Sequence, residues 1–368
     1  MSLVNRSQKI RIKTVSGELK ISREYYYCRN CGASEVPLDK MLGIESNSYK
    51  MTKKMMVEVS YYAQNQVSFE KAREMINRVF KIDINEETIR KIAEETGRKI
   101  FESDTKRAEQ TYLNIPQIGM SKNRPGTLYL LTDGASVNTR VEDENGSTWR
   151  ENKTVMVFTD KDMIKRKDGG HIIVNKEYVP YIGSSDEFKK YVLDLAVRWG
   201  YGQVKQMVII ADGATWIRNM CEEIFPDAVQ ILDLFHLKEN IYTYGKHIFN
   251  QDASQYTPWA ETVIDKIEKG KINEALAFIP ETEKLPAGVV NLKTYITNNI
   301  EKINYPQYKA KGWFVGSGAI ESANKTIVQQ RLKRSGMRWS VLGAQAILTL
   351  RAKVESRLWY QVENLICA

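Results

Sequence analysis

The first 27 residues alternate polar and apolar side chains, with Ile10, Ile12, Val15, Leu19 and Ile21 set around Ser16-Gly17. A period of two, broken by a glycine-containing pair, predicts a β-hairpin. It leads into Tyr25-Tyr26-Tyr27-Cys28-Arg29-Asn30-Cys31-Gly32. Between residues 50 and 110 the period becomes that of a helix. Ser68 predicts the cap of a helix running to about Phe80, with Ala72, Met75, Ile76 and Val79 on one face. A turn at Lys81-Ile82-Asp83 follows. Asn85 then predicts the cap of a second helix, with Glu86 and Glu87 in its first turn and Ile89 and Ile92 turned inward. Two helices joined so tightly fit a helix-turn-helix and, equally, a plain helical hairpin.

From residue 115 the pattern is α/β. Leu128 to Thr132 predicts a buried strand ending at Asp133-Gly134, and Thr154 to Thr159 a second. Val204 to Ala211 predicts a third, ending at Asp212-Gly213, with a helix from about Ala214 to Ile224. Ala228 to Leu232 is a short strand reaching Asp233, with a helix through His236 and Asn240. Residues 245–310 are mostly helical, with Trp259, Ile264, Ile267, Ala275, Leu276 and Phe278 spaced as core. Gly316-Ser317-Gly318 opens a last long helix, and no internal repeat or low-complexity tract interrupts the chain.

Composition narrows the class. The 368 residues are 42% hydrophobic and 27% charged, a balance that describes a globular protein with a sizeable core. No run approaches the ~20 apolar residues of a membrane span, and Met1 to Lys13 lacks the apolar centre of a secretory signal. Four cysteines cannot form a disulfide framework, so a cytoplasmic protein is expected. The net charge of +9 is uneven: residues 1–60 carry +5 and residues 321–357 carry +6. Basic ends around a near-neutral middle fit phosphate contacts flanking an acidic site, and equally two solvated faces.

Two strands end alike, in Leu131-Thr132-Asp133-Gly134 and Ile210-Ala211-Asp212-Gly213. A carboxylate after an apolar strand sits where open α/β sheets place their ligands, and the glycine gives the backbone freedom to turn it into the crevice. The third element is Gly316-Ser317-Gly318-Ala319-Ile320-Glu321-Ser322-Ala323-Asn324-Lys325, which sets Glu321 in the first turn of a basic helix. Three converging carboxylates repel one another unless a cation neutralises them, and hard oxygen ligands suit Mg²⁺ or Mn²⁺. Two such ions about 3.5–4 Å apart serve in-line displacement at phosphorus.

The order Asp133-Gly, Asp212-Gly-Ala-x-Trp-Ile, Asp233-Leu-Phe-His236-Leu, Gly-Ser-Gly-Ala-Ile-Glu321-Ser and Arg331-Leu-Lys-Arg-Ser-Gly-Met-Arg-Trp339-Ser resembles bacterial insertion-sequence transposases. These are DDE enzymes with an RNase H-like catalytic domain, and the match is to ISKra-type and ISLre-type elements over roughly residues 20–357. The resemblance implies an α/β fold with an RNase H-like mixed sheet flanked by helices and a helical insertion at about 245–310. It implies Asp133, Asp212 and Glu321 as catalytic metal ligands. The expected organisation is a β-ribbon over 1–49, an HTH-like DNA-binding region over 50–112 and the catalytic domain over 113–368. The expected function is metal-dependent cleavage at transposon ends and transfer of 3′-hydroxyl ends into target DNA. Element ends and target DNA are then the partners, with at least a homodimer needed to handle two ends. The rivals are a structure-selective nuclease with the same triad, and a DNA-binding protein domesticated from a transposase.

Asp233 and His236 follow one another on a strand-to-helix turn. Asp233 caps the helix while His236 packs beneath it, or one of them assists the metal site or contacts the scissile phosphate. Lys325, Arg331, Lys333, Arg334 and Arg338 are expected to contact phosphates, with Trp339 stacking on a base or anchoring its helix. In the resemblance, Tyr-x-Cys-x-x-Cys-Gly with Pro37-Leu38-Asp39 looks like the second half of a zinc ribbon. Cys28 and Cys31 have no partner pair in this sequence, so the zinc site is at most partial and bound Zn²⁺ is not expected.

Overall fold

The alternating N-terminal stretch builds an antiparallel hairpin of β1 (Ser2–Thr14) and β2 (Gly17–Tyr27). Its faces are largely exposed, and Ile12 is buried where neighbouring Lys13 pairs with Met51. The structure, a computed structural model, describes residues 1–44, 49–115, 123–167, 171–282, 284–316 and 318–368. Ser317, in the expected Gly-Ser-Gly entry to the glutamate helix, lies outside them.

Three helices follow: α1 (Lys53–Asn65), α2 (Phe69–Phe80) and α3 (Glu86–Leu113). The expected caps are present, Ser68 accepting from the Lys71 N–H and Asn85 from the Thr88 N–H. The inner face of α2 is narrower than its pattern, because Ala72 and Ile76 are buried while Val79 is 48% exposed. Along α3 the outward charges are spent on one another: Arg90 on Glu87 and Glu94, Lys99 on Glu95, Arg98 on Glu102. The long α3 packs along both α1 and α2. Met55, Ile76, Ile89, Ile92 and Ile100 join the same apolar core as Leu131, Ile210 and Ile320, so that core runs across residue 112.

The central sheet contains β3 (Arg124–Asn138), β4 (Trp149–Thr159), β5 (Glu177–Ile182), β6 (Val204–Ala211) and β7 (Val229–Leu232). Across the sheet the order is β5-β4-β3-β6-β7. The β5/β4 and β4/β3 pairs are antiparallel, and the β3/β6 and β6/β7 pairs are parallel. β3 does not stop at Asp133-Gly134 as expected. Its antiparallel partner stays in register as far as Asn138 with Trp149, while the parallel pairing to β6 ends at Leu131 with Ile210. The sequence pattern also missed β5, whose Pro180 argues against a central strand. It is tolerated because β5 is an edge.

Helices α4 (Ser185–Arg198) and α5 (Thr215–Ile224) cover the sheet face of Leu128, Leu130, Val155 and Ile209. The other face, with Tyr129, Leu131, Val208 and Ile210, is covered by α6 (Leu234–Ile248) and the helical insertion. The insertion comprises α7 (Ala253–Glu268), α8 (Ile272–Phe278), α9 (Leu292–Asn298) and α10 (Tyr305–Ala310). Phe278, read as core, is exposed at the end of α8. The expected last long helix is broken. It begins as α11 (Gly318–Ala323), widens into a π-helical turn at Asn324–Gln329 and ends at Leu332. Trp339 then pairs with Thr139 just past β3, before α12 (Val341–Glu355) and α13 (Trp359–Cys367) close the chain.

Where α3 crosses α12, a Cβ on Gly97 would lie 2.3 Å from the Ala346 carbonyl oxygen. That contact is backbone and cannot rotate away. Gly97→Ala is therefore expected to lower stability by about 2 kcal/mol, since overpacking of ~1–3 kcal/mol outweighs the helix propensity of at most ~1 kcal/mol that alanine gains. Urea denaturation checks this, with Gly316→Ala, which meets nothing within 4 Å, as the silent control.

Candidate functional site

The parallel pairing ends with Leu131 opposite Ile210, so Asp133 stands two residues further along β3 and Asp212 just past the end of β6. Asp133 keeps the two-residue period of Leu131, on the face packed by α6 and α11. Asp133 lies within β3, its side chain only 16% exposed. Its Oδ1 accepts the Gly134 N–H at 2.7 Å, and its Oδ2 accepts the Asn324 side-chain amide at 2.7 Å. Burial pushes the Asp133 carboxyl up from its ordinary range, and the charge of Asp212 adds to this. The Gly134 N–H, His236 and the Asn324 amide oppose it.

Asp212 leaves β6 through a turn that only glycine makes easily. Gly213 has φ +84°, and a Cβ there would press on the Leu232 Cδ1 at 2.8 Å. The Asp212 Oδ1 accepts the Ala214 N–H at 2.9 Å, and its carbonyl accepts the Tyr295 hydroxyl at 2.7 Å. The insertion thus holds the end of β6. It holds β7 too, through the Tyr305 hydroxyl on the Leu232 carbonyl at 2.9 Å. Gly134 sits in extended strand, where a Cβ would lie 2.7 Å from the Oε1 of the flexible Glu151 side chain, which can swing aside.

Asp233 is fully buried at the head of α6 and accepts the N–H groups of Phe235 and His236 at 3.2 and 3.0 Å. It caps the helix, as one reading expected. The same turn carries His236 into the crevice, its Nε2 3.9 Å from the Asp133 Oδ1 and 3.8 Å from the Asp233 Oδ2. Glu321 of α11 completes a trio: one ligand atom each from Asp233, His236 and Glu321 lie within 4.8 Å of one another. Among the described residues, this is the group of three that close, rather than Asp133, Asp212 and Glu321. Asp133 touches it through His236, and Asp212 reaches it through the field at Asp133.

The donor set fits a divalent cation. The Asp133 carboxylate lies in the field of Asp212, and among the described residues the His236 Nε2 is buried with no hydrogen-bond partner. Carboxylate oxygens and an imidazole nitrogen are the ligands Mg²⁺ and Mn²⁺ sites draw on. The sequence reading missed Asn324, which orients Asp133. Its signal was its place three residues after Glu321, on the same helical face.

The basic residues divide. Lys325, Lys333, Arg334 and Arg338 are exposed. Arg331 is 1% exposed, its guanidinium lying over the rings of Phe69 and Trp339 at 4.5 and 5.0 Å and its Nε donating to the Ala63 carbonyl. Burial, with Arg351 nearby, pushes its pKa down to about 10. In this position Arg331 ties helices together and reaches no phosphate. Trp339 is likewise an anchor, buried with its indole N–H on the Leu332 carbonyl. Cys28 and Cys31 stand together at the end of β2, where N–H groups of Cys31 and Asn30 lower the Cys28 thiol pKa. Among the described residues, they belong to no group of three or more close metal-ligating side chains.

Because Asp133 is buried beside another carboxylate, its charge costs stability above its unfolded pKa, and the cost is relieved as pH falls through its raised folded pKa. Asp133→Asn is therefore expected to raise the metal-free melting temperature at pH 7, with a gain that shrinks toward pH 4. Calorimetry over that range checks the sign.

Known sequences agree on one family. Its model, UPF0236, an uncharacterised protein family, matches residues 2–364. Two relatives from Caldanaerobacter subterraneus subsp. tengcongensis, each named UPF0236 protein, are 24% identical over 368 residues and 23% identical over 364. Each alignment covers 95% of this chain and 68% of the relative. The first of those names joins eleven loci and the second four. On a match spanning nearly its whole length, the chain belongs to the UPF0236 family.

Proposed function

We propose that this protein is a DDE transposase: a metal-dependent enzyme that cleaves DNA at element ends and joins the freed 3′-hydroxyl to target DNA. The observation that carries the reading is that Asp133 on β3 and Asp212, just past the end of the adjacent parallel strand β6, lie near enough for the Asp212 charge to act on Asp133, on the sheet face packed against the helix of Glu321. The sheet order β5-β4-β3-β6-β7, with one antiparallel wing and one parallel wing, supports an RNase H-like classification. Relatives present at many loci of one genome are consistent with a mobile element.

Asp133, Asp212 and Glu321 would hold Mg²⁺ or Mn²⁺, with Asp233 and His236 beside them. When bound, such ions supply an activated water or 3′-hydroxyl and stabilise the leaving oxygen. The chain's own part is positional. Asn324 and the Gly134 N–H fix the Asp133 carboxylate, Tyr295 fixes the turn bearing Asp212, and the Asp233 cap fixes the first turn of α6. DNA would lie against the exposed Lys325, Lys333, Arg334 and Arg338. Two copies would act together, because two element ends must be joined. No described helix is long and apolar enough to cross a membrane.

Cleavage of DNA bearing the source element's ends, with Mg²⁺ or Mn²⁺, tests the reading. Asp133→Asn, Asp212→Asn and Glu321→Gln are each expected to slow it by roughly 10³-fold, about 4 kcal/mol of barrier at ~1.36 kcal/mol per decade. DNA binding should survive in all three. Binding without metal-dependent cleavage in the unmodified protein would leave the domesticated binding protein standing. Cleavage without strand joining would leave the nuclease.

Salt dependence separates the basic residues. Alanine at Lys325, Lys333, Arg334 or Arg338 should each reduce the slope of log affinity against log salt by about 0.9 per lost contact to duplex DNA. Arg331→Gln should leave the slope unchanged and lower the melting temperature. A salt titration beside a thermal melt checks both.

A further inference from the structure

We propose that His236 is a direct metal ligand through Nε2, completing with Asp233 and Glu321 a mixed nitrogen–oxygen site that takes Mn²⁺ in preference to Mg²⁺. The inference deepens the transposase reading and rests on its metal dependence, but it makes a claim of its own about ligand chemistry. The geometry starts at the imidazole's other nitrogen. His236 Nδ1 lies 3.3 Å from the Glu239 Oε2, one turn further along α6. A carboxylate there favours the tautomer with the proton on Nδ1 and leaves the Nε2 lone pair facing the crevice, the arrangement that commonly orients metal-bound histidines.

Among the described residues, that lone pair meets no hydrogen-bond donor. The Nε2 is buried and without a partner, although it lies 3.8 Å from the Asp233 Oδ2 and 3.9 Å from the Asp133 Oδ1. Those distances exceed a hydrogen bond, and both neighbours are carboxylate oxygens. A buried acceptor set among acceptors is a costly arrangement unless a cation joins them. The ligand atoms of Asp233, His236 and Glu321 lie within 4.8 Å of one another, a spread one ion bridges with small side-chain adjustment. Position is also fixed, because the Asp233 carboxylate caps the turn from which His236 projects.

An imidazole nitrogen discriminates. Mg²⁺ keeps to oxygen ligands and parts with water reluctantly, whereas Mn²⁺ accepts a nitrogen alongside carboxylates. The site should therefore bind Mn²⁺ at least about tenfold more tightly than Mg²⁺, and His236→Gln should remove most of that preference by weakening Mn²⁺ about tenfold or more.

The test uses the full chain with Mn²⁺ alone. Pulsed electron paramagnetic resonance should show ¹⁴N modulation from a directly bound imidazole, absent in His236→Gln and retained in Glu239→Gln. Histidine labelled with ¹⁵N in the unmodified protein should convert the ¹⁴N pattern to that of ¹⁵N, which keeps the test decisive even if the His236 variant fails to fold. Bound Mn²⁺ with no histidine nitrogen coupling, or equal competition by Mg²⁺, would overturn the proposal and leave an all-carboxylate site in place. No Mn²⁺ binding at all would overturn both this proposal and the metal-dependent reading beneath it.

Discussion

The glutamate helix depends on a buried guanidinium. The π-helical turn at Asn324–Gln329 widens the helix by a residue and leaves backbone carbonyls without their ordinary partners. Arg351 of α12 donates to two of these, on Thr326 and Ile327, and to the Gln64 carbonyl at the end of α1. One side chain therefore locks the N-terminal helices, the last long helix and the glutamate helix together. The wider turn sets the azimuth of what precedes and follows it. Glu321 meets Asp233 and His236, and Asn324, three residues on, reaches Asp133 across the crevice. Arg331 acts in the same junction, wedged between Phe69 and Trp339 with its Nε on Ala63. Two buried arginines side by side are unfavourable for each other. Arg351 donates to three backbone carbonyls and Arg331 to one, with its guanidinium stacked over two rings.

A second tension sits in the crevice. Asp133 is buried near Asp212, and the protein meets the resulting repulsion with neutral donors, the Gly134 N–H and the Asn324 amide, rather than with a lysine or arginine. A fixed cation there would neutralise the carboxylates permanently. Neutral donors hold the Asp133 geometry without cancelling its charge. The insertion follows the same logic. Tyr295 and Tyr305 bind backbone carbonyls of Asp212 and Leu232 and leave the carboxylate side chains to the crevice. What appears in sequence as a helical interruption is, in the fold, the support for two strand ends.

How much of this was legible follows from which forces were local. The caps at Ser68 and Asn85, strand Val204–Ala211 and the turn at Gly213 depend on neighbours in sequence, and they read correctly. β3 was read as too short because its last residues are held by β4 alone, on the side away from the parallel wing. β5 was missed because Pro180 is acceptable only at an edge, and edges are properties of the assembled sheet. Arg331 read as a phosphate contact because it recurs with Lys325, Lys333, Arg334 and Arg338 along one basic stretch. Its burial depends on Phe69, 262 positions earlier in the sequence. Asp233 and His236 were legible as candidates, but their meeting with Glu321 needed the π-helical turn, which no periodicity announces.

The length of β3 has a consequence for how a duplex would be held. Asp133 and Thr139 are six residues apart along the extended chain, about 20 Å at ~3.3 Å per residue. At that far end Trp339 bridges to Thr139, and Arg140 binds the Trp339 carbonyl through its N–H and the Arg338 carbonyl through its side chain. The exposed Arg338 is therefore fixed to the same strand that carries Asp133. About 20 Å is about six base-pair steps of B-form DNA at ~3.4 Å each along a strand. A phosphate gripped there would be registered against the crevice by a rigid β-strand, a far more accurate ruler than a flexible basic tail. The buried Trp339 and Arg331 fix the loop on which the exposed arginine stands, which is the indirect part they would play in the proposed DNA contact.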